Sequence, residues 1–114
     1  MKKITIYHNP RCSKSRGACT LLNEQKLEFE MVEYLKTPPS ISTIKNLLKM
    51  LGKKPLEIIR TGEDAFKPYK GKKLSEADLI NLMVENPVLI ERPIVVVGDK
   101  AVIARPPELI LDIL

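Results

Sequence analysis

The residue best placed for nucleophilic chemistry is Cys12, inside the segment Tyr7-His8-Asn9-Pro10-Arg11-Cys12-Ser13-Lys14-Ser15-Arg16. Ile4, Thr5, Ile6 and Tyr7 form a β-branched and aromatic run, Asn9-Pro10 breaks it, and the pattern from Ser13 onward reads as helix. Cys12 therefore falls at a helix start. Unpaired backbone N–H groups and a partial positive charge gather there, and both favour a thiolate. A free thiol of pKa about 8.5 is only a few per cent ionised at pH 7, so a downward shift of roughly two units makes it mostly nucleophile.

A second thiol, Cys19, lies seven residues further on. On a helix that places it near the same face but roughly 10 Å along the axis, beyond the Cα separation of about 7 Å that a disulfide allows. It reads as a small buried residue rather than a resolving thiol. Position 15, where a Cys-x-x-Cys protein carries its second thiol, is Ser15. The site is monothiol by spacing and needs an external thiol such as glutathione for any redox cycle.

Three arginines stand at expected element ends: Arg60 closing a short helix, Arg92 before Pro93, and Arg105 before Pro106-Pro107. Guanidinium holds an oxyanion through a planar fork, which suits it to partner a reactive thiolate. Pro93, directly before a strand that must pass the thiol, is a candidate for a cis peptide bond.

The elements that must carry these groups follow from pattern. Ser13 to about Glu24 has Ala18, Leu21 and Leu22 at helical spacing, and Phe29 to Tyr34 alternates as a strand closed by Thr37-Pro38-Pro39. Strand, helix, strand of this length is the parallel βαβ unit. Ser40 or Ser42 caps a helix bearing Ile41, Ile44, Leu47, Leu48 and Leu51, and Gly52 ends it. Pro55 opens a short helix to Arg60, and Ser75-Glu76-Ala77-Asp78 opens another with Leu79, Leu82 and Met83, stopped by Asn86-Pro87. Ile94-Val97, a Gly98-Asp99 turn and Ala101-Ala104 form a hairpin, and a last helix runs from Glu108 to Leu114 after Pro106-Pro107. The order β-α-β, helices, β-β-α is the α/β layout of a thioredoxin-like (glutaredoxin-like) fold: a central mixed sheet with flanking helices and a helical insertion.

Composition bounds the answer. The 114 residues, 44% apolar and 29% charged, suit one domain. No apolar run approaches the roughly 18 residues of a membrane span and no leader pattern opens the chain, so a soluble cytoplasmic protein is expected. Two cysteines without metal-ligand spacing predict neither a disulfide framework nor a metal site. The net charge of +5 is spread over scattered lysines, with two Phe, three Tyr and no Trp. This is not the interleaving of basic and stacking residues that single-stranded nucleic acid requires, and a solvated basic face is expected instead.

Together, Tyr7 through Arg16, Pro38-Pro39, Arg60, Arg92-Pro93-Ile94 and Arg105-Pro106 resemble the glutaredoxin-coupled arsenate reductase (ArsC) family over essentially the whole chain. The likeness is greatest to its short members; longer ones, including the arsenic-resistance enzymes, carry a further C-terminal segment. The resemblance implies one ArsC-like domain over residues 1–114 and an arsenate reductase with Cys12 attacking arsenate. It implies that Arg60, Arg92 and Arg105 hold the oxyanion and the reduced arsenic intermediate. His8 would favour the Cys12 thiolate by charge or a hydrogen bond, and Ser15 by donating to the sulfur. Glutathione and glutaredoxin would supply electrons, with no bound cofactor or metal, and a monomer is the default.

Other readings stay in view. A phosphate-loop enzyme needs an arginine six residues after its nucleophile, and Ala18 stands there. A regulator of the Spx type resembles the same family and binds RNA polymerase, but carries a Cys-x-x-Cys pair that Ser15 interrupts. An ArsC-fold protein acting on another oxyanion is the remaining alternative.

Overall fold

The computed structural model describes residues 3–114 and divides into two compact units, one built from the residues up to Thr37 with Arg92–Leu114, the other from Pro38–Glu91. In the first, β1 (Ile4–His8), α1 (Ser13–Glu24), β2 (Glu30–Glu33), β3 (Ile94–Val97) and β4 (Lys100–Ile103) follow in chain order. The strands make one mixed sheet in the order β2-β1-β3-β4. β1 runs parallel to β2, with Ile6 opposite Met31 and His8 opposite Glu33, and antiparallel to β3, with Ile6 opposite Val95. This is the thioredoxin-like sheet expected from the order of elements, and its helices pack against it.

Burial alternates along β1, with Ile4, Ile6 and His8 covered and Thr5 and Tyr7 only half-covered. The buried side meets Ala18 and Leu22 of α1, and Val95, Val97, Ala104 and Ile110 complete the cluster. The Cβ alternation of a strand and the 3.6-residue repeat of the helix thus agree on one core. Gly17 of α1 faces the chain end closely: a Cβ there would lie 3.3 Å from Pro107 Cγ.

The β3–β4 hairpin turns through Gly98-Asp99, with Gly98 at φ 63°, as a two-residue turn with glycine first requires. β4 begins one residue earlier than its pattern suggested. The last helix is a correction: Pro107–Asp112 is 3-10, not α, closed by bonds such as Leu109 N–H to Pro106 O at 3.1 Å. Six residues that begin with Pro107, directly behind Pro106, are too few to repay α-helix nucleation, and short ends commonly settle as 3-10.

The second unit holds α2 (Ile41–Leu51), α3 (Glu76–Glu85) and 3-10 segments at Pro55–Ile58, Asp64–Tyr69 and Pro87–Leu89. Ser40, rather than Ser42, caps α2 by accepting from Thr43 N–H at 3.2 Å, and Gly52 ends it at φ 68°. Asp64–Tyr69 had no sequence signal, because its one buried side chain, Phe66, sets no period. Ile44, Leu47, Ile58, Leu79, Met83 and Leu89 are buried in this unit. No helix among the described residues is long and apolar enough to cross a membrane.

The start of α3 is a reciprocal cap: Asp78 N–H donates to Ser75 Oγ at 3.1 Å and Ser75 N–H to Asp78 Oδ2 at 3.2 Å. Ser75→Ala removes an acceptor from the first turn and is expected to cost about 1 kcal/mol. Urea denaturation checks this as a lowered midpoint with an unchanged slope; an unmoved midpoint would mean that water replaces the cap without loss.

Candidate active site

Cys12 is the N-cap of α1, with extended backbone at φ −95° and ψ 122°. Its N–H donates to Asn9 O at 3.0 Å and its carbonyl accepts the first helical bond from Arg16 N–H at 3.1 Å. The loop before it is tied down locally. Arg11 N–H donates to Asn9 Oδ1 at 3.0 Å, and Asn9 N–H donates to the buried Ser15 Oγ at 3.3 Å. Asn9 read only as a strand breaker in the sequence; here it closes the turn that presents the thiol.

Burial by itself raises the Cys12 pKa, but hydrogen bonds from the Ser15 backbone N–H, the Arg92 side chain and the Lys14 backbone N–H outweigh it, joined by the Arg92 charge. The thiol falls from its ordinary 9.0 to about 7. At neutral pH about half of it is thiolate. Helix start and arginine both contribute, and the backbone amides of residues 14 and 15 are the unpaired donors expected at a helix start.

Because its pKa is depressed in the folded chain, Cys12 contributes stability that is present above the unfolded thiol pKa near 9 and is lost as pH falls through about 7. The melting temperature of the native chain is therefore expected to gain on that of Cys12→Ser as pH rises from 7 to 9. Parallel curves for the two chains across that window would contradict the shift.

The other expected site residues are placed as follows. Ser15 is fully buried; its hydroxyl accepts from Asn9, while its backbone N–H serves the sulfur. His8 is buried at the end of β1, and its Nδ1 lies 3.7 Å from Sγ of Cys19. Its pKa is lowered, by burial first and then by the Arg16 charge, against an opposing effect of Glu33. The shift favours the neutral ring, and His8 is not among the groups that lower the Cys12 pKa.

Arg92 is half-buried, joined to the buried Pro93 by the cis peptide bond expected from the sequence. Arg105 is exposed, and its bond to Pro106 is also cis, which the sequence reading did not foresee. In the other unit, Arg60 does not close a helix. It follows an isolated antiparallel bridge between Ile59 and Ile90, because its N–H donates to Leu89 O at 2.7 Å and Glu91 N–H to Ile58 O at 2.8 Å. Its guanidinium is held by Glu63 at 3.0 Å and Glu91 at 3.7 Å.

Cys12 and Cys19 are both free thiols, and α1 runs unbroken from Ser13 to Glu24. Cys19 is half-buried, and burial raises its pKa, so it is protonated at pH 7. Helix geometry thus gives two thiols of opposite character: one at the amide-rich end, the other seven residues along.

A thioredoxin-like sheet that seats an activated monothiol at the start of its first helix defines a class of thiol-based chemistry. The model of the ArsC family matches residues 7–113, and this chain belongs to that family. It is 50% identical to the uncharacterized protein YfgD of Escherichia coli (strain K12), covering 98% of this chain and 97% of that one. It is 40% identical to an arsenate reductase of Neisseria meningitidis, over 95% of each chain. Among solved structures, an arsenate reductase from Vibrio cholerae superposes with a TM-score of 0.94 at 40% identity, covering 99% of this chain and 98% of that one. A putative arsenate reductase from Yersinia pestis gives 0.91 at 46% identity, covering 96% and 99%.

Proposed function

We propose that the chain is a cytoplasmic arsenate reductase, that residues 1–114 work as one functional domain, and that Cys12 is its nucleophile. The observation that carries the reading is the Cys12 thiol, brought to about 7 by two backbone amides and Arg92. Relatives of similar length are named arsenate reductase, which makes arsenate the oxyanion of choice.

The thiolate attacks arsenate, an As–S bond forms and an oxygen leaves as water. A nucleophile of pKa near 7 is available at neutral pH without a separate base. Arg92, Arg105 and Arg60 bind the oxyanion, Arg92 doing so beside the sulfur it already stabilises; Arg60 enters this list through the family likeness. His8 enters through the family likeness, as a group that favours the thiolate, and Ser15 serves as the residue that orders the turn. Two electrons reduce arsenic(V) to arsenic(III), and with Cys19 protonated and removed along the helix, two external thiols supply them and end as a disulfide. Glutathione followed by glutaredoxin fits this monothiol arrangement, with no bound cofactor, in a monomer.

The test is arsenate-dependent NADPH consumption by the native chain with glutathione, glutaredoxin and glutathione reductase. Turnover that requires all components supports the reading. A folded chain that consumes no NADPH with arsenate would reject it.

A further inference from the structure

Three soft donors from three elements meet on the α1-facing side of the sheet. Sγ of Cys19, on α1, lies 3.7 Å from Nδ1 of His8, at the end of β1, and 3.7 Å from Sδ of Met31, on β2. The strand register explains the convergence: Met31 stands opposite Ile6, and His8 follows Ile6 by two residues on the same face. Thiolate and thioether are the donors that favour monovalent copper over harder divalent ions, and imidazole also binds copper. Bonds of about 2.0–2.3 Å to a trigonal metal put neighbouring donors roughly 3.5–4 Å apart, which is the spacing of Cys19 from each of its two neighbours.

Core packing does not account for Met31, which is 57% exposed and buries little apolar surface. A groove of about 600 Å³ opens beside the cluster, lined by His8, Met31, Glu33 and Lys36 among others, and gives a small ion a route in. Among the described residues no three His, Cys, Asp or Glu side chains gather as a metal site; here the third donor is a thioether. Sequence spacing could not show it, since the donors come from three separate elements.

We propose that His8, Cys19 and Met31 form a binding site for a soft monovalent cation, copper(I). Binding exchanges the Cys19 S–H proton for a Cu–S bond and releases that proton to water, while the His8 Nδ1 lone pair and the Met31 sulfur complete the trigonal set. No electron is transferred. The Glu33 charge near the ring favours a cation there and Arg16 opposes it.

The test uses the Cys12→Ser chain, so that Cys19 is its sole thiol, titrated anaerobically with copper(I) against a chromophoric chelator. One copper(I) per chain is expected, with affinity lowered at least tenfold by an added Met31→Leu and lost with an added Cys19→Ser. Silver(I), which is redox-silent, should shift the Met31 methyl resonance in a correctly folded chain. The site is overturned if the chelator removes all copper from the folded Cys12→Ser chain. It is equally overturned if Met31→Leu binds as tightly as its parent, since that is the behaviour of an isolated thiol.

Discussion

Cys12→Ser is expected to lower arsenate-dependent turnover by roughly a thousandfold or more, while Cys19→Ser leaves most of it. A serine hydroxyl at the same N-cap is isosteric enough to keep the Asn9 and Arg16 backbone bonds around position 12. It still meets the Ser15 and Lys14 amides, but its pKa lies far above neutrality. No nucleophile is available, and the covalent route closes. Cys19 is different, being a raised, protonated thiol about two helical turns along. The measurement is coupled NADPH oxidation on both variants, with circular dichroism to confirm that each is folded. An inactive Cys19→Ser would make the chemistry dithiol and remove the argument for an external electron donor.

Arg92→Ala should have the next largest effect, in two separable parts. The guanidinium is both hydrogen-bonded to the Cys12 sulfur and a charge beside it, so its loss moves the thiol pKa upward from about 7. Alkylation by iodoacetamide at pH 7, measured in a Cys19→Ser background, should slow by about fivefold for a one-unit rise, and the gap should close above pH 9 where both thiols are ionised. Turnover should fall further, by about a hundredfold, because an oxyanion donor is lost as well. Arg92→Lys returns the charge without the planar fork, and is expected to restore alkylation more than turnover. An alkylation midpoint that stays at about 7 in Arg92→Ala would show that the helix start alone activates the thiol.

The sequence revealed most of what depends on local periodicity. The placement of Cys12 before Ser13–Glu24, the parallel pairing of β1 with β2, the hairpin at Gly98 and the caps at Ser40 and Ser75 each rest on interactions within a few residues, or on a crossover whose handedness and length leave few choices. What escaped depends on contacts between distant residues. Arg60 looked like a helix end because Pro55 starts a turn, but the Ile59–Ile90 bridge draws it into extended backbone. The family resemblance implies a link from His8 to Cys12; the contact of its ring with Cys19, on a different element, had no sequence signal. Ser15 was assigned a donating hydroxyl, while its backbone amide stabilises the sulfur and its oxygen closes the loop.

The bare Cα of Gly17 ties the two ends of the chain into one mechanical part. Five residues after the nucleophile, it lets α1 lie flush against Pro107, two residues after Arg105. Any side chain at position 17 acts as a shim: a methyl group at 3.3 Å from the proline ring must push that ring outward or tilt the helix. The seating of α1 is thus set partly by the turn at Pro107. A change that adds no charge and touches no reacting atom can still detune the fit between the helix carrying Cys12 and the turn carrying Arg105.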